Sequence, residues 1–115
     1  MSQTLNQIIK KQHYFVYFAI QLDRSGRSPK YNLKISHSIS RFKRIYSFSD
    51  YEHECQLVHT IEVDSKKLAL SLEKSFIRIL KDLGEKTYSD TREWFPLTDT
   101  IKNQLSQWEI ANEMV

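Results

Sequence analysis

The chain has 115 residues, 40% hydrophobic and 27% charged, with a formal net charge of +3 and a pI near 9.0. That length suits one domain, residues 1–115, with a modest core, and the small positive excess permits an anionic partner without demanding one. The lone Cys55 excludes an internal disulfide and a multi-cysteine zinc site, no run approaches the ~20 apolar residues that cross a bilayer, and the polar N-terminus lacks a signal core.

These features together lead us to expect a cytoplasmic chain, or a nuclear one in a eukaryotic host, with no membrane partner. Residues 1–12 read as a short helix with Leu5, Ile8 and Ile9 on one face and Ser2 or Thr4 as its cap. His13 to Leu22 is rich in aromatic and branched residues and reads as a strand. Tyr14, Val16, Phe18, Ile20 and Leu22 go to one face; Phe15, Tyr17, Ala19 and Gln21 go to the other. Both faces are largely apolar, so this strand is expected to be central and covered on both sides. Asp23 to Pro29 is a turn carrying Arg24 and Arg27, with Lys30 following; the basic loop either serves solubility or grips phosphates beside a nucleic-acid site.

Tyr31 to Ser36 reads as a second strand returning antiparallel, with Leu33 and Ile35 on one face and Lys34 on the other. Lys34 is either on an exposed face or a cation directed into a site. Ser38 to Phe48 reads as a helix with Phe42, Ile45 and Phe48 inward and Arg41 and Arg44 near that stripe; Lys43 adds to its charge. Cys55 to Val63 is a third strand, with Leu57, His59, Ile61 and Val63 sharing one face. His59 is more often a satisfied core residue than a ligand or acid in such a setting.

Asp64 to Gly84 reads as one long helix, with Asp64 as N-cap, Gly84 just past its end, and a stripe of Leu68, Leu72, Phe76, Ile79, Leu80 and Leu83. Glu73 falls between apolar flanks, and a carboxylate there needs a partner, a proton or a metal ion; neutralising a nearby cation is the plainer account. Glu85 to Arg92 is a polar loop. Glu93 to Leu97 is a short apolar segment that Pro96 confines to a sheet edge or a loop. Thr98 to Val115 is a final helix. The order of elements gives an α+β fold: a small three-stranded antiparallel sheet flanked by helices, with an added N-terminal and C-terminal helix.

Five pieces of this sequence, in order, resemble the GIY-YIG nuclease superfamily. Phe15-Val16-Tyr17 stands where the first tripeptide ends in tyrosine, and Lys34-Ile35-Ser36 stands for the second. A lysine-first second tripeptide is usual in the small branch of a phage T5 open reading frame and the meiotically up-regulated gene 113 domain. Arg44 follows eight residues after the tripeptide's glycine position. The strand Leu57 to Val63, the helical Leu72-Glu73-Lys74 and the close Glu93-Trp94-Phe95 complete the likeness, which covers about residues 14–97. The chain departs at Ser36, in place of the tripeptide glycine, and at Ile77, where the branch often has histidine.

The resemblance implies a metal-dependent endonuclease that hydrolyses phosphodiester bonds in DNA. It implies Glu73 as ligand to Mg²⁺ or another divalent ion such as Mn²⁺, Arg44 on the scissile phosphate with Arg41 as substitute, and Tyr17 as base or orienter of the attacking water. Lys34, sharing the outward parity of Tyr17, is the natural stabiliser of a phenolate. Arg24, Arg27, Lys30, Arg41 and Lys43 are the candidate DNA contacts. All of the site is expected on one side of the sheet. The alternative, favoured by Ser36 and Ile77, is a non-catalytic nucleic-acid-binding or protein-interaction module of the same fold.

Overall fold

The computed structural model describes residues 13–38, 53–89 and 93–110. Among them, strand β1 (Tyr14–Asp23), β2 (Lys30–Ser38), β3 (His53–Val63), helix α1 (Lys66–Asp82), β4 (Phe95–Pro96) and α2 (Asp99–Gln107) follow in chain order. The expected N-terminal helix and the helix through Phe48, with Arg41, Lys43 and Arg44, lie outside the described residues. Ser38, expected to open that helix, instead closes β2.

The class is α+β, but the sheet has four antiparallel strands in the order β3-β1-β2-β4, where three were expected. The fourth is the short segment after Trp94. Phe95 pairs with Leu33 and Pro96 with Asn32 on the outer edge of β2. Pro96 has no N–H to offer a further strand, so it fits only at such an edge.

β1 is the central strand, as its two apolar faces require. Val16, Phe18 and Ile20 are fully buried on one face, and Tyr17 and Ala19 are buried on the other. The first set joins Leu33, Ile35, Phe95, Ala69, Leu80, Ile101 and Leu105 in the main core beneath both helices. The second joins Cys55 and Trp94, with Leu57 and Tyr88 packed against them, in a smaller cluster on the opposite face. Phe18, Phe76 and Trp108 stack edge to face in the main core, Phe76 lying 5.1 Å from Phe18 and 4.9 Å from Trp108.

Three local expectations are corrected. In β3, Phe18 pairs with His59 but Ala19 pairs with Leu57, so Val58 is an extra residue and the ladder bulges. One extra residue reverses the alternation. Leu57 therefore leaves the face of Ile61 and Val63 and packs beside Tyr17 and Ala19, while His59 stays against Phe18 with ring centres 5.9 Å apart. In α1 the N-cap is Ser65 rather than Asp64, its hydroxyl accepting from Leu68 N at 3.1 Å. The buried residues of that helix are Ala69 and Leu80, with Leu72, Phe76 and Ile77 beside them, whereas Leu68, Ile79 and Leu83 are exposed.

The ends of the helices have local causes. Gly84 follows α1 at φ 91° and donates to Lys81 O, while Glu85 N reaches Leu80 O at 3.0 Å, closing the last carbonyls. Helix α2 stops at Gln107, well short of the expected Val115. Glu109 takes φ 60° and Ile110 N bonds Leu105 O at 2.9 Å. A left-handed glutamate costs about 1–2 kcal/mol; the compensation is that Ile110, 4% exposed, returns to the core over Leu105.

Leu80→Ala is expected to destabilise the chain by about 2–5 kcal/mol. Leu68→Ala and Ile79→Ala, on the exposed side of the same helix, are expected to change stability by less than about 1 kcal/mol. Urea midpoints of the three variants check the assignment; equal losses would restore the wider stripe.

Candidate functional site

β4 pairs only with Asn32 and Leu33, so among the described residues the outer edge of β2 from Lys34 to Ser38 carries no neighbouring strand. A hollow of about 180 Å³ opens along that edge, lined by Lys34, Ser36, Glu73, Ile77, Lys81 and Glu93 among others. Two of the residues selected from sequence, Lys34 and Glu73, thus meet at one place from different elements.

Glu73 sits one turn beyond Ala69 on α1, just off the line of contact with the sheet. Its side chain is 18% exposed, and its Oε2 lies 2.6 Å from Nδ1 of His37. A carboxylate can only accept, so the imidazole N–H donates. His37 is opposite Val16 in the ladder and so points to the helix-covered face. The partner that the flanked carboxylate needs is therefore a histidine supplied by the neighbouring strand. Sequence reading ended β2 at Ser36 and missed His37; carrying the Leu33–Ile35 alternation two residues further would have found it.

Lys34 is buried, its Nζ donating to Glu93 Oε2 at 3.3 Å and lying 5.7 Å from the centre of the Trp94 ring. The cation–π contact and the ion pair compensate a buried ammonium. Glu93 is itself 63% exposed, so that pair is partly screened.

The expectation that the whole site lies on one side of the sheet does not hold. Tyr17 and Lys34 project to the face of Trp94, opposite α1, while Glu73 approaches from the α1 side. Tyr17 is buried beside Ala19, Cys55 and Trp94. Its ladder partner is Ser36, a wall of the hollow, which places Tyr17 one strand inward, about 4.8 Å between backbones. Arg44, Arg41 and Lys43 lie outside the described residues.

Arg24, Arg27 and Lys30 are exposed on the β1–β2 connection, away from the hollow. That connection is tied by Asp23, whose Oδ1 accepts from Ser25 N at 2.9 Å and Ser25 Oγ at 2.5 Å and lies 3.3 Å from Nε2 of His53. The side-chain bond from Ser25, then its backbone N–H, hold the Asp23 carboxyl below its ordinary 3.8, with His53 and Lys30 adding to the effect.

No group of three or more His, Cys, Asp and Glu gathers among the described residues. A magnesium-type site takes one or two carboxylates and completes its shell with water and phosphate oxygens; the two carboxylates here are each already paired, Glu73 with His37 and Glu93 with Lys34. Glu73 supplies a carboxylate on the wall of an open hollow, and Glu93 lines the same space.

No family model matches the chain, and no curated protein or solved structure matches it either. No helix among the described residues is long and apolar enough to cross a membrane.

The depressed Asp23 carboxyl makes a pH prediction. Its stabilising contribution is fully present above 3.8 and is lost as pH falls through its lower folded value. Asp23→Asn is expected to remove that part of the acid dependence, so that the stability difference between wild type and variant narrows below about pH 4. Urea unfolding from neutral pH to about pH 2 measures the two curves; parallel curves would show that Asp23 is not a contributor.

Proposed function

We propose that this chain is a divalent-metal-dependent endonuclease acting on phosphodiester bonds in DNA, in the manner of the lysine-first branch of the GIY-YIG nuclease superfamily. The observation that carries the reading is the meeting of Glu73, His37 and Lys34 at the open edge of β2: a histidine-held carboxylate and a buried ammonium flank one hollow.

Hydrolysis of a phosphodiester needs a positioned water and positive charge around the phosphorus in its transition state. Glu73 would hold Mg²⁺ or Mn²⁺, with His37 fixing the direction of its carboxylate. The bound ion would supply Lewis-acid charge to a phosphate oxygen. Lys34 lines the hollow from the strand side with Glu93 as its ion-pair partner, so the positive charge it would offer a phosphate is partly offset. Arg44 is assigned to the scissile phosphate, where a planar, permanently charged guanidinium binds two oxygens at once. Tyr17, one strand inward of Ser36, is assigned to orienting the water. The edge of β2 is the position from which groups on both faces of the sheet can approach one ligand. The basic connection with Arg24, Arg27 and Lys30 would contact phosphates further along the strand.

A second reading has its own support. Ser36 puts a side chain on the wall where the family carries glycine, and Tyr17 stands on the face opposite α1. Both suit a DNA-binding module without turnover, whose affinity falls with salt according to its Lys and Arg contacts.

A supercoiled-plasmid nicking assay with Mg²⁺ and Mn²⁺ decides between them. Nicking is expected to require metal and to fall by about 10²-fold or more in Glu73→Ala. His37→Ala is expected to raise the metal concentration needed for half-maximal nicking by about 10- to 100-fold, with activity returning at high metal. Salt-sensitive binding with no nicking would select the module, and nicking indifferent to Glu73→Ala would remove the proposed site.

A further inference from the structure

A second hollow, about 370 Å³, lies at the hairpin end of the sheet face opposite α1 and shares no lining residue with the one at Glu73. Its size falls in the range of small-molecule pockets, roughly 300–1,000 Å³.

The floor is a cross-strand pair of amides. Gln21 and Asn32 are partners in the β1–β2 ladder, and Asn32 is 3% exposed. Tyr88 Oη donates to Asn32 Oδ1 at 2.8 Å, and Asn32 Nδ2 donates to Gln21 Oε1 at 3.0 Å. The chain of bonds has one direction. Tyr88 fixes the oxygen of Asn32, Asn32 fixes the oxygen of Gln21, and the Nε2 hydrogens of Gln21 are left as donors for a ligand. One end of the hollow holds the Asp23 carboxylate with His53 beside it. The side walls are aromatic: Tyr88 and Trp94, brought together by the bond from Tyr88 N to Trp94 O at 3.0 Å. Lys30 lines the hollow on the hairpin side and is exposed.

This set of groups selects among ligands. A purely apolar molecule would offer no acceptor to Gln21 Nε2 and no donor to the Asp23 carboxylate. A small carboxylic acid or bare phosphate would meet the negative charge of Asp23 and leave the aromatic walls unused. A planar heterocycle with both donors and acceptors on its edge uses the floor and the walls together, and an attached phosphate uses the Lys30 cation.

We infer that this hollow binds a single nucleotide, its base against Tyr88 and Trp94, its edge on Gln21 and Asp23, and its phosphate towards Lys30. A free nucleotide and an unstacked nucleotide within a single strand present the same chemistry. The two hollows share no lining residue, but Lys30 also serves the endonuclease reading as a phosphate contact, so Gln21 and Asp23 are the groups that distinguish the two.

The test is titration of the full chain, in EDTA, with nucleosides, nucleoside 5′-monophosphates and a short single-stranded DNA, by calorimetry and tryptophan fluorescence. Saturable binding is expected for at least one monophosphate or for the oligonucleotide. Monophosphate binding assigns a free nucleotide, and binding of the oligonucleotide alone assigns a base within a strand when Asp23→Asn weakens it, because phosphate contacts alone would not be weakened by removing a negative charge. Lys30→Ala is expected to weaken phosphate-bearing ligands about tenfold and leave nucleosides unaffected; Gln21→Leu and Asp23→Asn are expected to weaken all of them by about tenfold or more. Gln21→Leu removes the acceptor for Asn32, so its melting curve accompanies the titration and Asp23→Asn stands as the second variant. No saturation by any ligand to millimolar concentration overturns the proposal, as does an affinity indifferent to Lys30→Ala and Asp23→Asn. Running without metal keeps a failure here distinct from a failure of nicking.

Discussion

β1 has no solvent face over its middle five residues. Val16, Phe18 and Ile20 point one way and Tyr17 and Ala19 the other, and all are buried. Each of those faces must then be covered. On one side the two helices do so, with Ala69, Leu80, Ile101 and Leu105 reaching the strand. On the other the cover includes Trp94 and Tyr88, delivered by the segment that follows α1. Burial of both faces at about 25 cal/mol per Å² is what makes β1 central and fixes its register, because a one-residue slip would exchange the two faces.

Covering the second face with one short segment has an electrostatic consequence. Lys34 and Asn32 stand on β2 under Trp94, so their polar ends are taken out of water. An unpaired amide or ammonium there would cost several kcal/mol. The same segment brings the compensation: Tyr88 to Asn32, Glu93 to Lys34, and the ring of Trp94 near the ammonium. No buried side-chain nitrogen or oxygen among the described residues lacks a partner. A satisfied polar layer of this kind specifies position more than it adds stability. It holds Lys34 at one edge of its hollow and the amide floor at the base of the other.

How far the sequence displayed this depends on the kind of feature. A strand buried on both sides is visible as an unbroken apolar run, so β1 and its centrality were legible in Tyr14 to Leu22. The conflict at Glu73 was legible too, because a carboxylate between apolar flanks stands out at helical period. The identity of its partner was not, because the strand was ended two residues before His37. The swing of Leu57 to the opposite face comes from a backbone bulge at Val58, and no residue type there announces it. The exposed Leu68, Ile79 and Leu83 show another limit. α1 touches the sheet along a line that passes through Ala69, whose small side chain permits close approach, and hydrophobicity alone ranks leucine above alanine.

The pair Trp94–Phe95 links the two halves of the molecule. Adjacent extended residues point to opposite faces, so Trp94 enters the smaller cluster while Phe95 enters the main core. Had β4 run further along β2, its backbone would have filled the edge beside Lys34 and Ser36 and closed the Glu73 hollow. Instead pairing ends on the Lys34 side at Phe95, opposite Leu33. Glu93 and Trp94, just before the strand, then stay on the Lys34 side, while Leu97 at the other end remains beside β2 with its N–H bonded to Tyr31 O at 2.9 Å. A two-residue strand can hold its place because its side chains are anchored in two separate cores. That anchoring leaves, among the described residues, a strand edge without a neighbour next to a paired carboxylate and a buried cation, which is the geometric condition for the chemistry proposed here.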